Sequence, residues 1–92
     1  IYSRLVYDGA RAPTIAACGG ARERTLLVDG VSKSYAMTGY RLGWLIAPSA
    51  WMERLVTLAI NGHTCVPPFV QRAGVAALTG PHEHVARQVA AY

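Results

Sequence analysis

Ninety-two residues make one small domain at most, and a chain of that length buries only about 60–65% of the surface its unfolded form exposes. Apolar residues make up 52% and charged residues 15%, so many apolar side chains are expected to face something beyond these residues. The net charge of +4 comes from scattered arginines with no run of like charge, which argues against a nucleic-acid arm or a polybasic membrane patch. No apolar run nears the ~18 residues that cross a bilayer, and no signal peptide is recognisable. Cys18 and Cys65 have neither Cys-x-x-Cys spacing nor a histidine array around them, so they read as reduced thiols and no metal site is expected.

In chain order, Ile1 to Gly9 alternates apolar and polar residues poorly and ends in an Asp8-Gly9 turn signal. Residues 10–24 carry Pro13, Gly19, Gly20 and the charged Arg22-Glu23-Arg24, and read as loop with one short helical turn at Thr14 to Ala17. Thr25-Leu26-Leu27-Val28-Asp29 is a short apolar run of the kind that forms a strand buried on both faces, near 25–29. It leads into Asp29-Gly30-Val31-Ser32-Lys33-Ser34-Tyr35-Ala36-Met37-Thr38-Gly39-Tyr40-Arg41-Leu42-Gly43-Trp44, the stretch around which the chain is organised. Lys33 is the only lysine; every other cationic residue among the Lys and Arg is arginine. Arginine stays protonated, whereas a lysine amine can be deprotonated by its surroundings and attack a carbonyl.

Tyr40 to Ala47 is again apolar and aromatic and reads as a second strand, near 40–47, stopped by Pro48. A connection this short between two strands implies antiparallel neighbours, because a parallel return needs a longer crossover. The lysine loop then sits at one end of the pair, where a sheet's ligands belong. Ser49 reads as the N-cap of a helix near 50–60, with Trp51, Met52, Leu55, Val56, Leu58, Ala59 and Ile60 forming a core-facing stripe and Asn61-Gly62 ending it. A second helix is expected near 68–79, opened by Pro68. A third is expected near 81–92, with Glu83 at its positive end and Val85 and Val89 facing inward. The histidines at 63, 82 and 84 lack ligand-like spacing and read as surface or capping residues.

The lysine stretch resembles the cofactor-lysine motif of the class I and II aminotransferases, fold-type I enzymes dependent on pyridoxal phosphate. The likeness lies in Ser32-Lys33, then Met37-Thr38-Gly39, then Arg41 eight residues after the lysine, then Gly43 and an aromatic residue. It implies an α/β fold, with these residues as part of the large, cofactor-binding domain: two adjacent antiparallel strands followed by helices. Lys33 is implied to form the Schiff base with the cofactor aldehyde, and Arg41 to pair with the cofactor phosphate. A planar, permanently charged fork suits a phosphate dianion better than an ammonium does, and Ser32 and Ser34 bring hydroxyls near the same place, either of which is a candidate donor to a phosphate oxygen. Tyr2, which on its own residues reads as a packing tyrosine, becomes the phenol that bonds the cofactor's ring oxygen. Thr64 is a candidate contact to the phosphate of a neighbouring subunit.

The implied activity is transfer of an amino group between an amino acid and a 2-oxo acid, with the freed Lys33 amine as the general base. Burial and the nearby Arg41 are expected to favour its deprotonated form. The intact protein is expected to be a cytoplasmic homodimer with no nucleic-acid or membrane partner, and these residues to be an excerpt of it that is inactive alone. One departure from the family's fullest pattern is Gly30, where many members carry a phosphate-binding serine. Three alternatives stand beside amino-group transfer: a fold-type I lyase or decarboxylase, an aminotransferase-like sensor domain of a transcription regulator, and a non-catalytic interaction fragment.

Overall fold

A computed structural model describes residues 1–92. Strands β1 (Leu27–Gly30) and β2 (Gly43–Ile46) are followed by helices α1 (Ser49–His63), α2 (Pro68–Thr79) and α3 (Glu83–Ala91). The strands pair antiparallel, with Leu27 opposite Ile46, Val28 opposite Leu45, Asp29 opposite Trp44 and Gly30 opposite Gly43. Ahead of them, Asp8 and Gly9 both take positive φ in a turn closed by Ala10 N–H on the Tyr7 carbonyl at 3.0 Å, as a mirror-image turn requires. Short 3₁₀ turns occupy Ile15–Ala17, capped by the Thr14 hydroxyl, and Arg22–Arg24.

The Gly30–Gly43 pair fixes how closely the strands meet. A Cβ on Gly30 would stand 2.8 Å from the Leu42 carbonyl oxygen, and one on Gly43 would stand 2.9 Å from that of Asp29. Both contacts are with backbone, which cannot step aside. The core is built on the loop these glycines close, rather than on the strands. Val31, Tyr35 and Val85 form the buried cluster, with Met37, Leu42, Trp44 and Ala77 packed around it. Helix α2 lies against the same loop, its Gly74 leaving room for the tip of Leu42.

Three expectations are corrected. Helix α1 begins at Ser49 itself, with Pro48 in the cap position, and it runs through Asn61-Gly62. Asn61 Nδ2 donates back to the Thr57 carbonyl at 2.8 Å, so the side chain supports the helix and Thr64, at φ 65° and ψ −84°, takes the break. Helix α3 starts at Glu83 because His82 is held outside it, its Nε2 3.1 Å from the Ala77 carbonyl oxygen. His82 thus bears out its reading as a capping residue, in the N-cap position of α3 and bonded to a last-turn carbonyl of α2, with its half-buried ring 5.8 Å from that of Tyr35.

The largest difference concerns burial. Val28 is 67% exposed, so β1 has one bare face where the apolar run implied two covered ones. No residue of α1 is buried; its stripe lines an open apolar groove of about 580 Å³ with Val28, Trp44 and Leu45. Periodicity identified an amphipathic helix correctly, but it carries no information about what covers the apolar side.

The glycine geometry predicts two unequal substitutions in the intact protein. Gly30→Ala should lose about 1–3 kcal/mol in chemical denaturation, since backbone must shift. Gly74→Ala should fall near zero, because the Leu42 tip can rotate and alanine gains about 1 kcal/mol of helix propensity. Equal losses would contradict the close strand approach.

Candidate active site

The loop 31–42 leaves β1 and returns to β2 through a neck closed by Val31 N–H on the Leu42 carbonyl at 3.2 Å. Inside the neck, Tyr35 N–H reaches the Val31 carbonyl and Ala36 N–H that of Lys33, each at 3.2 Å. These turns sort the side chains: Val31, Ser34 and Tyr35 point inward and are buried, while Lys33 and Ala36 are exposed. The amine is therefore held outward by the burial of its neighbours. The burial expected for Lys33 is not supplied by these residues.

Two non-glycine residues of the loop sit at positive φ, Ala36 at 53° and Arg41 at 51°. Left-handed backbone costs an L-residue roughly 1–2 kcal/mol, and strain of this kind gathers at ligand-binding segments. Arg41 is the pivot at which the loop turns back towards β2. Its Nη1 donates to the Thr38 carbonyl at 2.8 Å across the 3₁₀ turn Thr38–Tyr40, and the rest of the guanidinium is exposed.

Lys33 opens onto a cleft of about 660 Å³, which Tyr2, Ser32 and Thr38 also line; small-molecule sites typically span ~300–1,000 Å³. The structure thus gathers Tyr2, Ser32 and Lys33 around one space, whereas Ser34, the other serine expected beside the phosphate, is buried away from it with its hydroxyl committed to main-chain groups. Arg41 does not line it; its guanidinium is tied to Thr38, which does. Thr38 was not singled out, although its place three residues before Arg41 is the spacing a 3₁₀ turn closes. Gln88 and Tyr92, also unanticipated, share the cleft wall, and their i, i+4 spacing was the available signal. Thr64 is exposed at the end of α1, outside this cleft, in a strained conformation for a β-branched residue.

Beneath the loop, Asp29 accepts Gly30 N–H at 2.7 Å and the Ser3 hydroxyl at 3.3 Å. Burial opposes its ionisation, and these two hydrogen bonds favour it. Cys18 and Cys65 are free and exposed. No helix is long and apolar enough to cross a membrane.

The donor set fits a phosphorylated aldehyde. One unshared amine faces the space, the phenols of Tyr2, Tyr7 and Tyr92 and two hydroxyls border it, and a guanidinium with unspent donors is anchored at one wall. The sequence profile of aminotransferase class I and II matches residues 1–92, and the chain belongs to that family. It is 44% identical over 85 residues to an LL-diaminopimelate aminotransferase of Moorella thermoacetica, covering 92% of this chain and 22% of that protein. Over 92 residues it is 39% identical to an aspartate aminotransferase of Musicola paradisiaca, covering all of this chain and 23% of that one. The crystal structure of the aspartate aminotransferase from Rhizobium meliloti superposes with a TM-score of 0.90 at 35% identity, over 99% of this chain and 23% of its own. These neighbours place the fold among the fold-type I aminotransferases, and the chain spans less than a quarter of each.

Strain at Ala36 can be measured in the intact protein. Alanine-to-glycine changes ordinarily destabilise, but Ala36→Gly should leave stability unchanged or raise it by up to about 1 kcal/mol in denaturant titration. A loss of that size would contradict a left-handed backbone there.

Proposed function

We propose that residues 1–92 are part of the large cofactor-binding domain of a pyridoxal phosphate-dependent aminotransferase, a cytoplasmic homodimer when intact, that moves an amino group between an amino acid and a 2-oxo acid. The observation that carries this reading is the placement of the chain's single lysine on a shared cleft with Tyr2 and Ser32, with Arg41 fastened to the cleft wall through Thr38. The names of the relatives, which include LL-diaminopimelate, aromatic-amino-acid and aspartate aminotransferases, favour amino-group transfer over elimination or decarboxylation at the same lysine. Two exposed free thiols suit a reducing compartment. The bare stripe of α1 suits burial against further protein surface.

When bound, pyridoxal phosphate supplies an aldehyde for an amine to bond and a ring that draws electrons from the substrate α-carbon. Lys33 Nζ would be the amine that holds that aldehyde and, when free, the base that would move a proton at the substrate α-carbon. Arg41 would hold the phosphate with the donors not committed to Thr38. Ser32, half-buried beside Lys33, adds a hydroxyl donor, so Gly30 need not supply one. The Tyr2 phenol would donate a hydrogen bond to the ring oxygen and so favour its anionic form.

Borohydride treatment of the intact protein with the cofactor, followed by peptide mapping, should leave a phosphopyridoxyl adduct on Lys33 and none in Lys33→Ala. An adduct elsewhere, or none in the wild type, would overturn the assignment. Arg41→Gly keeps the left-handed backbone while removing the fork, and should weaken cofactor binding roughly 10- to 100-fold, the worth of a charge-assisted hydrogen bond or two. Unchanged affinity in equilibrium dialysis would remove Arg41 from the phosphate site.

A further inference from the structure

We propose that Ser34 is a positioning residue: its buried hydroxyl fixes the main chain on both sides of Tyr2, and so sets where the Tyr2 phenol stands relative to Lys33. The proposal rests on the roles of Lys33 and Tyr2 given above. Ser34 is 2% exposed, although it directly follows the exposed Lys33. Its Oγ accepts Arg4 N–H at 3.4 Å and donates to the Ile1 carbonyl at 3.2 Å. Those two groups flank Tyr2, whose own carbonyl accepts Leu5 N–H at 2.9 Å in a turn. One hydroxyl thus bridges the loop that carries the amine, from the residue next to Lys33, to the turn that carries the phenol.

No polar contact within these residues holds the phenol itself. The Tyr2 side chain is 57% exposed and makes no hydrogen bond within these residues, so its direction follows from its main chain. The Arg4 guanidinium adds a second tie to the same loop, 5.5 Å above the Tyr35 ring, but it acts beyond Tyr2 and leaves the Ile1 carbonyl to Ser34. Removing the hydroxyl would leave a carbonyl and an N–H without their partner on the loop, and the turn that carries Tyr2 would be held only by the Ser3 bond to Asp29 and the Arg4 contact, both beyond Tyr2.

A donor to the ring oxygen competes with the proton on the Lys33 nitrogen for that oxygen's negative charge, so a displaced phenol should raise the pH at which that proton is lost. The readout is the pH midpoint of the visible absorbance change of the bound cofactor in the intact holoenzyme. Tyr2→Phe should raise it. Ser34→Ala should raise it in the same direction by roughly half a pH unit or more, a threefold change in proton affinity, and Ser34→Thr should bring it back towards wild type. In the Tyr2→Phe background, Ser34→Ala should add nothing, because the two act as a unit. If Ser34→Ala does not fold, Ser34→Cys, similar in size and weaker in hydrogen bonding, takes its place.

An unmoved midpoint in Ser34→Ala, an unmoved midpoint in Tyr2→Phe, or a Ser34→Ala shift of the same size in both backgrounds overturns the proposal. Borohydride labelling separates its failure from that of the underlying reading. A Lys33 adduct with an unmoved midpoint removes the role of Ser34 alone, whereas a wild type without that adduct takes both away.

Discussion

The hydrogen bond from Val31 N–H to the Leu42 carbonyl, set beside two facing glycines, is the constraint on which the rest of the structure depends. It pinches the hairpin at the point where β1 ends and β2 begins, so that everything between must fold back over a narrow neck. Only backbones without Cβ atoms can approach this closely, which makes Gly30 and Gly43 structural necessities rather than flexible spacers. Lys33 and Arg41 leave the sheet from one end because the neck allows no other path.

Once the neck is closed, burial decides which side chains face where. Val31 and Tyr35 are drawn down against Val85 of α3, and the intervening turn has to present Lys33 to the opposite side. The hydrophobic contact and the chemical role are therefore two faces of the same turn: what packs inward determines what is offered outward. The left-handed residues at 36 and 41 lie at the far turn and at the return of the loop. Strain held there by the packed side is a form of preorganisation, since the amine and the guanidinium do not have to find each other after a ligand arrives.

The sequence carried the hairpin and the lysine clearly, for separable reasons. Two apolar runs, the second stopped by Pro48, leave little freedom in pairing, and the uniqueness of Lys33 marks it without any structure. The end of α1 was misread because Asn61-Gly62 carries two signals. As a pair it breaks helices, but the Asn61 side chain bonds back to Thr57 and prolongs this one. The bare faces of β1 and α1 were unreadable in detail, because an apolar stripe states that something covers it and never what. Arg41's tie to Thr38 and Ser34's bridge to residues 1 and 4 were out of reach for another reason. Both bonds use main-chain groups, which every residue has, and the second spans most of the distance from the chain's start to the loop.

The central claim is that a single hairpin loop carries both the amine that bonds a cofactor aldehyde and the guanidinium that holds its phosphate. A crystal structure of the intact protein with pyridoxal phosphate tests this most directly. The account predicts continuous density from Lys33 Nζ to the cofactor, Arg41 nitrogens within about 2.7–3.1 Å of phosphate oxygens, and the Tyr2 hydroxyl at similar range from the ring oxygen. A cofactor bound away from Lys33, or a phosphate held elsewhere while the Arg41 fork touches only the Thr38 carbonyl, would contradict it.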